Sequence, residues 1–103
     1  MLQEFTEELN RAQQHFTVLT AIISHEPIGI LALEEKTDIE HYEIRFSLRV
    51  LQEEGVIKPT SNGAVLTTDA HQHIQDLNND METVAEQFND FQSVLTKTQA
   101  ELE

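Results

Sequence analysis

Residues 39–67 decide the order of secondary-structure elements in this chain, and they read IEHYEIRFSLRVLQEEGVIKPTSNGAVLT. In the first half of this stretch, apolar residues recur at Ile44, Leu48 and Leu51, which is the spacing of one face of a helix. We expect a helix over about residues 40–54. Gly55 should close it, because glycine readily adopts the left-handed conformation that ends many helices.

After Gly55 the pattern changes to two short runs that favour strands, residues 56–59 and 64–67. They flank Thr60-Ser61-Asn62-Gly63, and an Asn-Gly pair between such runs is a strong signal for a β-hairpin. Pro59 lacks an amide hydrogen, so we expect it at the end of a strand or on an edge. The hydroxyl of Thr67 or Thr68 is then expected to cap the next helix.

Two helices are predicted before the deciding stretch. The first should end near His25, because the residue before Pro27 avoids the helical conformation. A short second segment follows over residues 30–36, with Ile30 and Leu33 on one face, before a turn at Thr37-Asp38. The apolar stripe of the first helix consists of Phe5, Leu9, Ala12, Phe16, Leu19 and Ile23.

From Asp69 to about Leu102 no glycine or proline interrupts the chain. Apolar residues there alternate in steps of three and four, the heptad pattern of helices that pair with another helix. A helix of this length would extend ~50 Å at 1.5 Å per residue, more than a core built from the preceding residues covers. We therefore divide the chain into residues 1–68 and a dimerisation segment, 69–103. The predicted interface of the homodimer is Leu77, Met81, Val84, Phe88, Phe91 and Leu95.

The predicted order of helix, short helix, turn, helix, glycine, hairpin and long helix resembles the winged helix-turn-helix family of transcriptional regulators. The resemblance covers about residues 16–75 and is most specific over residues 39–57. There the third helix ends in a leucine, three mostly polar residues, a glycine and an apolar pair. Residues 64–67 resemble the second strand of the family's wing. The long last helix resembles the dimerising branches of the family, of which the PadR-like branch is one.

The resemblance implies a mostly α-helical fold with a β-hairpin wing and a sequence-specific DNA-binding regulator that acts as a homodimer. Its recognition helix, about residues 40–54, would lie in the major groove. With Ile44, Leu48 and Leu51 facing inward, helical geometry turns four other residues outward. Arginine can read guanine or clamp phosphates, and an aromatic ring can contact a thymine methyl group. The predicted contacts to double-stranded DNA are Tyr42, Arg45, Phe46 and Arg49, with Lys58 on the wing.

The charge of the chain leads to an alternative. Its 103 residues include 19 acidic and 6 basic ones, for a formal net charge of −13. Phosphate binding normally depends on clustered Lys and Arg. The abundance of acids and scarcity of lysine resemble proteins of salt-accumulating archaea, and at 1 M salt charges are screened within ~3 Å. The alternative is a winged-helix protein-protein interaction module without direct DNA binding, in which the acidic surface, Tyr42 and Phe46 bind a basic or apolar partner.

Several other classes are not expected. The chain has no cysteine, which excludes disulfide scaffolds and thiolate sites. His71 and His73 lie near Asp69 and Asp76, but no further ligand follows at diagnostic spacing, so we expect no metal and no cofactor. We assign no small-molecule effector. No catalytic motif is recognisable, so an enzyme is not expected. No apolar run reaches the ~20 residues of a membrane span and the amino end lacks a basic signal region, which predicts a cytoplasmic protein.

Overall fold

The computed structural model describes residues 1–103 and contains four helices and one hairpin. The prediction of a mostly helical chain with a small β-hairpin is confirmed. The chain divides into two compact units, residues 1–71 and residues 72–103. The elements are α1 (Gln3–His25), α2 (Ile30–Thr37), α3 (His41–Glu53), β1 (Ile57–Thr60), β2 (Gly63–Leu66) and α4 (Ala70–Leu102). No helix combines the length and the apolar character that a membrane span requires.

The first unit is built on the mutual packing of α1, α2 and α3. Short connections join these helices, and residues 38–40 are the only ones between α2 and α3. Asp38 takes the left-handed conformation (φ 60°), and its amide donates to the Glu34 carbonyl oxygen at 2.9 Å. Aspartate tolerates this conformation better than most residues. The largest fully buried side chains are Val18, Ile22, Leu33, Ile44, Ser47, Leu51 and Val56.

The buried face of α1 differs from the predicted stripe. The structure buries His15, Val18, Leu19 and Ile22, so Leu19 is the only member of the predicted stripe that is buried. Phe5, Leu9 and Ile23 are 53 %, 52 % and 48 % exposed. The physical reason is a polar pair between α1 and α3, in which His15 Nδ1 lies 2.7 Å from Ser47 Oγ. This pair brings a histidine into the helix interface, and a search for apolar spacing does not include it.

The hairpin follows α3 through Gly55, whose φ of 79° closes the helix as predicted. Its strands are antiparallel, with Ile57 opposite Leu66 and Thr60 opposite Gly63. Ile28 forms a bridge on the other side of β2: its amide donates to the Ala64 carbonyl at 3.1 Å, and the Ala64 amide donates back at 2.8 Å. Pro59 lies opposite Ala64. Because both backbone groups of Ala64 bond to Ile28, the missing amide hydrogen of Pro59 leaves no hydrogen bond unmade.

Gly63 has a different role from the one the Asn-Gly pattern indicates. The two residues of the loop are Ser61 and Asn62, and Gly63 is the first residue of β2 with φ 123°. A Cβ atom at Gly63 would lie 2.4 Å from the carbonyl carbon of Ile28. Glycine is required here because the backbone of Ile28 approaches so closely.

The predicted threonine cap of α4 also needs a correction for Thr67. Its hydroxyl bonds to the carbonyl oxygens of Gly55 at 2.6 Å and Val56 at 3.3 Å. The Ala70 amide donates to the Thr67 backbone carbonyl at 3.2 Å. Gly55 and Val56 directly follow α3, and Thr67 lies just before α4. The Thr67 side chain therefore links the segment after α3 to the start of α4.

The second unit, residues 72–103, is a single helical segment of α4. None of its residues is buried, and His73, Ile74 and Leu77 are half-buried. Phe88 and Phe91 contact each other edge to face, with 6.2 Å between ring centroids. The exposed predicted interface residues are Met81 (43 %), Val84 (39 %), Phe88 (37 %), Phe91 (59 %) and Leu95 (64 %).

Candidate nucleic-acid interface

One side of α3 carries four of the predicted DNA contacts. Tyr42, Arg45, Phe46 and Arg49 are all exposed, and we call these four residues the outer face of α3. The opposite side carries Ile44, Ser47 and Leu51, which are buried against the first unit's core. Burial of that side fixes the direction of the outer face, because successive helical residues are turned by a constant angle.

Lys58, the fifth predicted contact, lies on β1. Its neighbour Ile57 is buried, whereas Lys58 is exposed and lies opposite Val65. Alternation of side chains along a strand explains the difference between these two neighbours. The structure thus presents a lysine on the hairpin that directly follows α3.

Carboxylates surround the amino end of the outer face. The Tyr42 hydroxyl donates to Glu43 Oε1 at 3.4 Å. The negative charges of Glu43 and Glu40 raise the pKa of Tyr42, so its hydroxyl keeps its proton and remains a donor. Both carboxylates lie in or next to the first turn of α3, where the helix dipole favours negative charge. Glu34 of α2 adds a further carboxylate, with its Oε1 3.2 Å from His41 Nδ1.

Hydrogen bonds between α1 and α3 hold the outer face in place. Gln14 Nε2 donates to Ser47 Oγ at 3.1 Å and to the Glu43 carbonyl oxygen at 3.3 Å. The Ser47 side chain is fully buried and also meets His15 Nδ1 at 2.7 Å. Burial, followed by the charge of Arg11, lowers the pKa of His15, and Glu8 opposes the shift. A neutral His15 can therefore accept the Ser47 hydroxyl hydrogen while that oxygen accepts from Gln14.

Phe46 makes contacts that its predicted role does not include. The guanidinium carbon of Arg11 lies 5.9 Å from the centroid of its ring, and the His15 ring lies 5.4 Å away at a tilt of 56°. Phe46 thus packs against α1 and is 38 % exposed. Beside it is an open groove of about 580 Å³ lined by Asn10, Arg11, Gln14, Tyr42, Glu43 and Phe46.

Arg11, Gln14 and His15 are the residues near this face that sequence reasoning missed. All three are polar. Gln14 and His15 lie 29 to 33 residues from their hydrogen-bond partners in α3. The spacing of Arg11 and His15 at i, i+4 on one helix was the available signal. It becomes informative only once the packing of α1 on α3 is known.

The sequence matches no protein-family model and no curated protein. Nor is any group of three or more histidine, aspartate or glutamate side chains placed to hold a metal ion. The candidate site of this chain is therefore the outer face of α3, held in place by α1.

Proposed function

We propose that this protein is a winged helix-turn-helix transcriptional regulator that binds double-stranded DNA as a homodimer. In this proposal α3 is the recognition helix in the major groove and the β1–β2 hairpin is the wing. The observation that carries the proposal is the outer face of α3, with two exposed arginines on the helix that directly follows a three-residue connection.

The arrangement of elements supports the helix-turn-helix interpretation. The connection between α2 and α3 consists of residues 38–40, and helix-turn-helix motifs typically use three to four residues there. In such motifs the second helix carries the residues that reach base edges. The hairpin follows α3 directly, and the bridge from Ile28 to Ala64 adds a third backbone segment to it.

The chemistry of the outer face supports DNA as the ligand. Arg45 and Arg49 are one helical turn apart, both are exposed, and neither pairs with a carboxylate. A guanidinium group can bond guanine through two parallel hydrogen bonds or clamp a phosphate. Tyr42, 66 % exposed on the same face, adds a hydroxyl donor and an apolar ring. These groups match what the edges of base pairs offer in the major groove.

Pairing of two copies along α4 completes the proposal. Steps of three and four separate the exposed heptad residues Met81, Val84, Phe88, Phe91 and Leu95. This is the pattern of a helix that packs against another helix. A homodimer would present two copies of α3 to DNA. Helix-turn-helix dimers contact half-sites about one helical turn, ~34 Å, apart, so the preferred DNA should contain an inverted repeat.

The test begins with selection of bound duplexes from a random-sequence pool. Replacing Arg45 or Arg49 with Ala should cost ~1–3 kcal/mol of binding free energy and relax the preference at one base pair. The corresponding Lys variants keep the charge but lose the two-pronged geometry, so they should recover phosphate contacts and not base recognition. Lys97→Ala, in the second unit, is the control. Equal loss on every sequence would make the arginine a phosphate contact.

We further propose that the acidic surface is an adaptation to a salt-rich cytoplasm. A regulator that neutralises ~6–10 phosphates loses ~10³–10⁵ in affinity between 50 and 200 mM salt. This chain has 6 basic residues, so its affinity should depend weakly on potassium chloride between about 0.5 and 3 M, or rise if cations bridge carboxylates and phosphates. If specific binding is lost as the potassium chloride concentration rises to 1 M while the protein stays folded, this proposal is contradicted.

The second candidate is a protein-protein interaction module without direct DNA binding. The observations that favour it are the formal net charge of −13 and the exposed apolar surface of Leu31 (75 %) and Tyr42 (66 %). A basic partner would bind such a surface through complementary charge. If selection enriches no DNA sequence, and the Arg45→Ala/Arg49→Ala double variant binds DNA as the parent does, this candidate replaces the first.

A further inference from the structure

We infer that Arg11 of α1 is a further contact to a DNA backbone phosphate, positioned by Phe46 and restrained by Glu8. The inference rests on the proposed function of α3, because it places Arg11 beside the helix that would enter the groove. It extends the binding surface from α3 to a second helix.

The packing of α1 on α3 places Arg11 at the outer face. Gln14 and His15, about one turn further along α1, are both hydrogen-bonded to Ser47 of α3. Arg11 therefore lies beside the first half of α3, with its guanidinium carbon 5.9 Å from the centroid of Phe46. It lines the same groove as Tyr42. Its position is thus set by contacts with α3 as well as by α1.

The position of the Phe46 ring explains how a long, flexible side chain is held there. A guanidinium group near an aromatic ring is attracted by the electrons of the ring. The N–H donors of the group lie in its own plane and point outward from its edge. Phe46 is accordingly a positioning residue, because its ring restricts where the Arg11 guanidinium group lies.

Glu8 is the present partner of Arg11, and its pairing is exchangeable. Arg11 Nη1 donates to Glu8 Oε1 at 2.9 Å, and the two side chains are 51 % and 70 % exposed. Exposed pairs of this kind contribute little stability. A phosphate, which accepts two parallel hydrogen bonds from a guanidinium group, would replace the carboxylate. A phosphate contact carries no base preference.

The experiment measures binding of the full chain to a random-sequence duplex of about 30 base pairs, long enough for two half-sites. Arg11→Ala should weaken binding and make the slope of log affinity against log salt less negative by ~0.9, the value of one phosphate contact. Arg11→Lys should retain that slope. Lys97→Ala is the matched control for loss of one positive charge and should change neither quantity.

Glu8→Gln provides a gain-of-affinity test. It removes the competing carboxylate and should raise affinity about two- to fivefold, the range for release of an exposed pair. Glu7→Gln is the matched control, because Glu7 is exposed on the same turn and its side chain makes no hydrogen bond or ion pair. In the Arg11→Ala background, Glu8→Gln should have no more effect than Glu7→Gln. Phe46→Leu should reduce the effect of Arg11→Ala, with circular dichroism as the check on folding.

The inference is overturned if Arg11→Ala binds DNA with the affinity and salt slope of Lys97→Ala, or if Glu8→Gln and Glu7→Gln have equal effects. These results leave the proposed function intact as long as Arg45→Ala and Arg49→Ala weaken binding. Failure of the proposed function looks different: the parent protein binds no duplex, or the two α3 variants bind as the parent does.

Discussion

The two units of the chain differ in where their apolar side chains lie. Every buried residue of the protein belongs to residues 1–71. Residues 72–103 bury none, although they contain Met81, Phe88 and Phe91 and four more large apolar residues with exposures above one third. The first unit therefore obtains its stability from its own core, whereas the second has an apolar surface that its own residues leave uncovered.

This difference shows that similar apolar periodicity can serve two purposes. In α3, Ile44 and Leu51 recur at helical spacing and fill a core formed with α1 and α2. In α4 the spacing follows a heptad, and no other element of its unit exists to cover the stripe. Long helices in water gain most of their stability from packing of an apolar face. We therefore expect the second unit to depend on a second copy of the chain.

The largest expected effect is on assembly. Phe88→Asp combined with Phe91→Asp would place two charges in the proposed interface between the α4 helices of the homodimer. Each charge should destabilise the dimer by several kcal/mol. Light scattering should report a dimer for the parent protein and a monomer for this variant. Circular dichroism should show reduced helix content, because the unpaired segment loses its packing.

The matched control adds the same charges beside the stripe. Asn89 and Gln92 are exposed neighbours of the two phenylalanines, and Asn89→Asp/Gln92→Asp should remain dimeric. A Phe88→Asp/Phe91→Asp protein with an unchanged dimer mass would show that the interface lies elsewhere. The exposed residues Phe5 and Leu9 of α1 are then the next place to search.

A smaller effect is expected from opening a cavity in the first unit. Ile44 is fully buried, and Ile→Ala changes at such positions typically cost ~2–5 kcal/mol. Ile44→Ala should lower the free energy of unfolding in urea by this amount. Val94→Ala, at a position 64 % exposed in α4 and outside the heptad stripe, should change it by less than ~0.5 kcal/mol. Equal costs at both positions would remove the distinction between the units.

Much of the first unit's secondary structure could be predicted from local signals. The structure has α3 at residues 41–53, within the predicted 40–54, and β1 and β2 lie within one residue of the predicted runs. Gly55 ends α3 as predicted. These features depend on propensities and turn residues that act over a few positions, and such signals are present in a single sequence.

The features that could not be predicted depend on long-range approach of polar or backbone groups. The buried face of α1 includes His15 because Ser47 lies opposite it, 32 positions away in the chain. Gly63 is needed because the Ile28 backbone lies against it. For the same reason Arg11 was not among the predicted contacts, since its proximity to Phe46 follows from the packing of α1 on α3.

The smallest expected effect concerns the pH dependence of the first unit. Burial lowers the pKa of His15 below its usual 6.5 in the folded protein, so protons bind the unfolded state more readily. The neutral form therefore contributes stability that is fully present above pH 6.5 and is lost as the pH falls through the lower folded value.

Urea unfolding should show a decrease in stability from pH 7.5 to about pH 5.5. The test is the difference between variants. His15→Gln should be less stable at pH 7.5 but show a smaller decrease with falling pH, whereas His71→Gln, exposed at the end of the first unit, should retain the decrease of the parent. If the stability of His15→Gln falls with pH in parallel with that of the parent, His15 does not contribute to the pH dependence and the prediction is wrong.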